Sequence, residues 1–170
     1  MPAPMPITDT PPPPGSLLAR FAQDRAAFAD AYALRLPGGV TLARFVEAFY
    51  TTRLFKAERA LIRLFGRPSS DAMAAAVARG EGQRLAVWTV EARTADELLM
   101  HEDSGATRSW FKVEAGGDGH TTLWFGSAVV HRRRGPVGEP RFGPLFHALL
   151  GFHRGYSRAL LRAAARRLGS

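Results

Sequence analysis

The chain contains no cysteine. This absence excludes disulfides, thiolate catalysis and cysteine-ligated zinc or iron–sulfur sites, and it suits a reducing compartment. Long apolar runs are also missing, since none approaches the roughly 18 to 20 residues that a membrane span needs. Residues 1–15 show neither the charged nor the apolar region of a secretory signal. We therefore expect a cytoplasmic protein without a membrane span.

Lysine is almost absent as well, because the 23 basic residues include only Lys56 and Lys112 besides arginine. With a formal net charge of +8, the composition permits an anionic partner such as a nucleic acid or a membrane surface. The arginines are spread along the whole chain, and this distribution favours a solvated basic surface. The candidate anion-binding site is the one tight cluster, Arg132, Arg133 and Arg134.

A chain of 170 residues is long enough for one domain that buries about 70% of the surface its unfolded form would expose. Most of the prolines lie in residues 1–15. Because proline lacks the amide donor and the backbone freedom that helices and sheets need, this segment is predicted to be a disordered or extended tail. We assign residues 16–170 to a single domain.

The first part of that domain predicts a helix, a strand and a second helix. Ser16 is a candidate cap for a helix over residues 17–27. Residues 28–36 alternate loosely between apolar and polar positions and end at a Pro-Gly-Gly turn, which predicts a strand. Thr41 is a candidate cap for the next helix.

Two more helices are predicted before the middle of the chain. Residues 54–65 have helical periodicity, and a Gly-Arg-Pro segment ends the pattern. Ser70 and Gly80 bracket a short alanine-rich helix, since glycine readily takes the left-handed cap conformation. The predicted buried stripe of the longer helix consists of Leu54, Ala57, Leu61, Leu64 and Phe65.

Four stretches with alternating side chains follow in quick succession. Short turn signals of hairpin length separate them, and short links force neighbouring strands to run antiparallel. After the last strand, residues 131–141 read as a polar loop. The predicted strands are residues 84–93, 96–103, 108–115 and 121–130.

The end of the chain, residues 142–168, predicts one long amphipathic helix. A row of arginines recurs every four residues, and apolar side chains recur at spacings of three and four. A stripe of this length needs a broad surface, and the preceding hairpins supply one. We predict an α+β fold in which a curved antiparallel sheet packs against this helix and two or three helices from the amino-terminal half. The predicted stripe consists of Leu145, Leu149, Phe152, Tyr156, Leu160 and Ala163, and the arginine row of Arg154, Arg158, Arg162 and Arg166.

Large rings occur on both faces of the predicted strands, as at Trp110 and Phe111. A one-sided sheet should be apolar on one face only. The surplus leaves three readings open: a second layer on the outer face, a homodimer contact, or a ligand cavity between the sheet and the last helix. The candidate cavity walls are Phe49, Trp88, Met100, Trp110, Phe125, Phe152 and Tyr156.

Motifs for chemistry are few. His147 and His153 lie six residues apart on one helix and point in different directions, so we predict no metal site and no cofactor. A Gly-x-Ser-x-Gly elbow is missing, and the Gly-Gly-Asp-Gly turn joins two strands and not a strand to a helix. Nucleic acid is disfavoured as a partner because Phe152 and Tyr156 fall on the dry side of the last helix, away from the arginines.

The order of the predicted elements, a strand, two or three helices, antiparallel strands and a long closing helix, resembles the helix-grip fold of the START and polyketide-cyclase-like superfamily. Within it, the carboxyl-terminal half looks like a bacterial family of unknown function with a Trp-x-Val-Glu strand, a Leu-Leu strand and a phenylalanine–histidine helix. Here these motifs read Trp88-Thr89-Val90-Glu91, Leu98-Leu99-Met100 and Phe152-His153, and Ser104-Gly105-Ala106 leads into Trp110-Phe111 where the family has Pro-Gly-x-Ala-Trp-Leu. The resemblance implies a hydrophobic small molecule or lipid as partner, and it lends no catalytic residues.

Three functions are therefore open. The first is binding of a hydrophobic small molecule in a cavity. The second is an enzyme of the cyclase or aromatase kind, in which Glu91, His101 or Tyr156 would act as acid or base. The third is an anion-binding module that uses Arg132, Arg133 and Arg134 with the arginine row of the last helix.

Overall fold

The computed structural model describes residues 6–130 and 144–169, of which residues 144–152 are described by their backbone alone. The described chain is an α+β protein with an open, seven-stranded antiparallel sheet in the order β1-β2-β7-β6-β5-β4-β3. The strands are β1 (Thr8–Asp9), β2 (Ala27–Pro37), β3 (Arg84–Leu85), β4 (Trp88–Arg93), β5 (Glu97–Glu102), β6 (Thr107–Ala115) and β7 (His120–Val130). The helices are α1 (Ala19–Gln23), α2 (Leu42–Tyr50), α3 (Arg53–Arg63), α4 (Asp71–Arg79) and α5 (Pro144–Leu168). The predicted fold class is confirmed, with a helix-grip-like layout.

The longest pairing in the sheet joins two strands that are far apart in the sequence. β2 pairs along its whole length with β7, from Ala27 opposite Val130 to Pro37 opposite His120. α2, α3 and α4 lie between β2 and β3 in the sequence. The five later strands, β3 to β7, therefore fold back so that the last of them, β7, pairs with β2. Alternation along each strand then sends every second side chain to the same face.

Helices cover both faces of the sheet. α2, α4 and α5 pack on the inner face, where Phe111, Leu123 and Phe125 are buried with the apolar side of α2. α1 packs on the outer face over Trp110 and Leu99. The second layer is therefore the explanation of the rings that point outwards.

Several capping predictions are confirmed. The Thr41 side chain accepts a hydrogen bond from the backbone N–H of Arg44, and the Ser70 side chain accepts one from Met73. Gly80 ends α4 with φ of 80°, the left-handed conformation that side chains other than glycine rarely adopt. These three polar or flexible residues place the ends of α2 and α4.

The prediction for the first helix is wrong in its cap and its length. α1 covers only Ala19–Gln23, and the buried Ser16 hydroxyl has no hydrogen-bond partner in the part of the chain that the structure describes. The backbone N–H of Leu17 instead donates to Glu97 Oε2 at 2.8 Å. A side chain 80 residues away holds the start of this segment, and β2 begins at Ala27, so the helix is cut short.

The strand predicted over residues 84–93 is also wrong, because it is two strands joined by a tight turn. Leu85 pairs with Trp88, and Ala86 between them has φ of 53°. Hairpin turns of two residues need positive φ, and Ala-Val lacks the glycine or asparagine that usually announces it. The sequence therefore contains no signal that predicts this turn.

The predicted tail is partly ordered. Thr8 pairs with Ala33 and Asp9 with Tyr32, so this part of residues 1–15 is an edge strand and not disordered chain. Asp9 Oδ2 also lies 3.4 Å from Arg158 Nη2 on α5. Residues 1–5 lie outside the described residues.

The apolar stripe of α3, which the sequence predicts to be buried, faces outwards. Leu61, Leu64 and Phe65 are exposed, and the buried residues of this helix are Phe55 and Arg59. Arg59 is tied to the body of the protein by an ion pair to Asp71 Oδ1 at 2.8 Å and by a hydrogen bond to the carbonyl of Tyr50. Polar contacts decide the orientation of α3 against its apolar periodicity.

α5 is the long closing helix that the sequence predicts. Leu160, Leu161, Ala164 and Ala165 are buried against α2 and the sheet, and Arg154, Arg162 and Arg166 are exposed. The side chains of Leu145, Leu149 and Phe152 lie outside the described residues. Among the described helices, none has the length and apolar character needed to cross a membrane.

Candidate functional site

A cavity of about 240 Å³ lies between the inner face of β6 and β7 and the helices α2, α3 and α5. One side of its wall is apolar. Alternation along β7 places Phe125 there, and the helical spacing of α2 brings Phe49 to a ring-centroid distance of 4.6 Å from it. The apolar wall consists of Phe49, Tyr50, Phe55, Trp88, Phe125 and Leu160.

The other side of the wall is polar and begins on the sheet. Ser127 on β7 and Ser109 on β6 line the cavity. Asp30 on β2 is the direct partner of Ser127 in the same cross-strand row but does not line the cavity, and this row lies next to a row of rings. Ser127 Oγ lies 2.7 Å from Asp30 Oδ1 and 2.5 Å from His153 Nε2 of α5. The hydroxyl of Tyr32 donates to the second carboxylate oxygen of Asp30 at 2.7 Å.

The order of these groups sets the direction of the hydrogen bonds. Both hydroxyls donate to the Asp30 carboxyl group, Ser127 to Oδ1 and Tyr32 to Oδ2. The Ser127 hydroxyl has a single proton, so with that proton donated to Asp30 its oxygen can only accept from His153, which requires the tautomer with a proton on Nε2. In a catalytic triad the histidine stands between serine and carboxylate and removes the serine proton. Here the serine stands between the other two and donates to the carboxyl group, so the order of the three groups is not that of a catalytic triad.

A second polar pair enters the cavity from the helices. The hydroxyl of Tyr156 on α5 donates to Glu58 Oε2 on α3. Burial raises the pKa of the Glu58 carboxyl, while the hydrogen bond from Tyr156 and the nearby His153 act to lower it. Burial and the Glu58 carboxylate both raise the pKa of Tyr156. Glu58 and His153 therefore provide two groups on the same wall that can hold or exchange a proton with a ligand.

Trp88, on the apolar side, carries a polar atom that is unpaired within the described part of the chain. Its indole Nε1 is buried and has no hydrogen-bond partner among the described residues. Buried polar groups are nearly always paired, so an orphaned donor in a residue that lines a cavity is a functional clue.

Four of the predicted wall residues are brought together: Phe49, Trp88, Phe125 and Tyr156 line the cavity. Met100 lies one layer behind, where its sulfur accepts a hydrogen bond from Tyr50 at 3.1 Å. The side chain of Phe152 lies outside the described residues, and so do Arg132, Arg133 and Arg134.

Trp110 is a correction to the predicted wall. It lies on the outer face of the sheet, fully buried under α1 with Leu18 and Phe21. Its Nε1 donates to Glu97 Oε2 at 2.7 Å. Alternation along β6 sends Phe111 to the inner face and Trp110 to the opposite one, so Trp110 cannot contact a ligand in this cavity.

Two of the three predicted acid–base residues are also placed elsewhere. Glu91 forms ion pairs with Arg20 of α1 and with Arg108, whose Nε lies 3.0 Å from Glu91 Oε2. His101 is half-buried, and its Nδ1 lies 3.1 Å from the backbone carbonyl of Glu102. Neither lines the cavity, and Tyr156 alone of the three does.

Sequence reasoning missed Asp30, Glu58, Ser127 and His153. One signal was available in β2, where Phe28, Asp30, Tyr32 and Leu34 share a face. A carboxylate in the middle of an apolar row is costly unless it is paired, and therefore marks a buried polar site. Glu58 had no comparable signal because α3 turns its apolar stripe outwards.

Among the described residues, no cluster of three histidine, aspartate or glutamate side chains is arranged to hold a metal ion. Comparisons of the chain with protein-family models, with curated proteins and with solved structures found no match.

Proposed function

We propose that this protein binds a small, mainly apolar molecule with one polar group in the cavity between the sheet and α5. The observation that carries the proposal is the division of the cavity wall into a ring-lined side and a buried polar side. Sites for small molecules have this composition, in which apolar groups supply affinity and a few polar groups set orientation. The volume of about 240 Å³ is below the roughly 300 to 1,000 Å³ of drug-sized pockets, so the ligand is small.

Thermal unfolding in the presence of phenol, benzyl alcohol, benzoate and indole tests this proposal. A ligand at ten times its dissociation constant stabilises the folded state by about 1.4 kcal/mol. For a protein of this size, that raises the melting temperature by about 3 to 5 °C. Native mass spectrometry of the same mixtures should show one bound molecule per chain.

Ser109→Leu is the variant that links binding to the cavity. Ser109 lines the cavity from β6, so a leucine there should fill it and abolish the shift. Glu114→Leu, at the exposed end of the same strand, is the matched control and should keep it. Equal shifts in the two variants would place the bound molecule elsewhere, and no shift with any probe in the wild type would contradict the proposed ligand class.

Acid–base catalysis in the same cavity is the second candidate function, of the cyclase or aromatase kind. Glu58 and His153 favour it, because these two groups can exchange a proton and line the same cavity, where Tyr156 donates to Glu58. Glu58→Gln separates the two functions. A binding protein should retain its ligand with this change, and an enzyme should retain binding but lose turnover.

We further propose a distant relationship to the START and polyketide-cyclase-like superfamily. The antiparallel sheet closed by a long carboxyl-terminal helix supports it, together with a cavity between the two. A cytoplasmic location and a homodimer stay predictions.

A further inference from the structure

The outward face of α3 carries an apolar stripe that the rest of the described protein leaves uncovered. Leu54 is 37% exposed, Leu61 58%, and Leu64 and Phe65 are each 80% exposed. Together with Ala57 they follow helical spacing, so they lie side by side along the helix and its carboxyl end. Single exposed apolar residues are ordinary, whereas a contiguous stripe of large ones marks an interaction surface.

The exposed charges of α3 itself are positive. Arg53, Lys56 and Arg63 are exposed on α3. Lys56 is paired with Asp71 of α4 at 2.6 Å, whereas Arg53 and Arg63 form no ion pair within the described part of the chain. The one acidic residue of α3, Glu58, is turned inwards to the hydroxyl of Tyr156. The exposed surface of the helix is thus apolar on one flank and basic on the other.

We propose that α3 docks this protein on an anionic phospholipid surface, with Leu61, Leu64 and Phe65 entering the interface. A helix with large apolar groups on one side and basic groups on the other lies in the plane of the membrane surface, and its binding depends on both. A second copy of the chain fits less well, because a two-fold contact brings the same patch of each copy together and would place the basic flanks of the two helices close to each other. A nucleic acid would leave the apolar stripe without a partner.

The fixed position of α3 supports this role. Arg59 is tied to Asp71 and to the carbonyl of Tyr50, and Phe55 is buried beneath the helix. The inward face is therefore committed to the fold, and the stripe is presented outwards without any rearrangement. Gly66, with φ of 77°, ends the helical segment immediately after Phe65.

Vesicle co-sedimentation of the full chain tests the proposal. We expect binding to vesicles of phosphatidylglycerol and phosphatidylcholine at low salt, binding that weakens as salt rises, and little binding to phosphatidylcholine alone. The double variant Leu64→Ser/Phe65→Ser should lower partitioning at least tenfold. Both side chains are largely exposed, so circular dichroism and the melting temperature should match the wild type.

A pair of charge variants separates a docking helix from a general attraction of a basic protein. Arg63→Glu should lower partitioning severalfold, and Arg166→Glu, the same charge change at an exposed site on α5, should lower it less than twofold. Equal effects of the two, unchanged binding of the serine double variant, or no binding at low salt would overturn the proposal. A dimer in light scattering that dissociates in the serine double variant would overturn it in favour of a second copy.

Discussion

At the scale of single residues, the interior of this protein contains buried polar side chains among its apolar strands. Asp30 accepts hydrogen bonds from Ser127 and Tyr32, and Ser127 connects the sheet to His153 of α5. Each group is paired, which is the condition under which a carboxylate is tolerated in a low-dielectric interior. Glu58 likewise accepts a hydrogen bond from Tyr156, and burial raises the pKa of its carboxyl group.

The stability of the protein should depend on pH through Glu58. Burial raises the pKa of Glu58 above its value in the unfolded chain. The stabilisation that comes from its protonated form is complete below the unfolded pKa and is lost as pH rises through the folded pKa. Glu58→Gln cannot ionise, so we expect the wild type to lose stability relative to this variant as pH rises above about 4, the ordinary range of a glutamate carboxyl.

Urea unfolding at a series of pH values, from acid to neutral, measures this change in the free energy of unfolding. Glu114→Gln, an amide substitution at the exposed end of β6, serves as the control and should follow the wild-type profile. Parallel profiles for Glu58→Gln and the wild type would show that the Glu58 carboxyl is not perturbed by folding.

At the scale of elements, packing contacts decide what periodicity leaves open. α1 lies on the outer face because Trp110 and Leu99 need a cover and because Glu97 binds the N–H of Leu17. Gly126 makes this docking possible. A Cβ at Gly126 would lie 2.5 Å from Leu18 Cδ2 and 2.7 Å from the carbonyl oxygen of Asp30.

Gly126→Ala should therefore destabilise the protein by about 1 to 3 kcal/mol, the usual cost of overpacking a core. Backbone on one side prevents the new methyl group from being accommodated by a rotamer change alone. The comparison is Gly155→Ala in α5, where a Cβ would have no neighbour within 4 Å. Alanine in a helix interior should stabilise the protein there by up to about 1 kcal/mol. Chemical denaturation gives both values, and the same sign for both would contradict the close approach of α1 to β7.

At the scale of the whole molecule, the pairing of β2 with β7 places the site. It brings Asp30 next to Ser127 across 97 residues of sequence, and α5 then returns over the same strands to deliver His153 and Tyr156. The cavity exists because α5 spans the inner face beside α2 and α3. Docking of the second half of α5 should accordingly carry much of the global stability.

Leu161→Ala tests this docking. Leu161 is fully buried where α5 packs in the core, and its truncation should cost about 2 to 5 kcal/mol through lost apolar contact and the cavity that remains. Arg162→Ala, at the next and exposed position, should change stability by less than about 0.5 kcal/mol. A small effect of Leu161→Ala on the free energy of unfolding would mean that α5 contributes little to the core.

By itself, the sequence determined the α+β class, the helices capped at Thr41 and Ser70, the long closing helix and four of the residues that line the cavity. These features follow from local periodicity and capping, which act over a few residues. Only the tertiary structure decided that Trp110 faces α1, that residues 84–93 turn at Ala86, and that α3 presents its apolar stripe to the outside. Each of these depends on partners distant in sequence, such as Glu97 for the segment that carries α1 and Asp71 for Arg59, and no local pattern contains them.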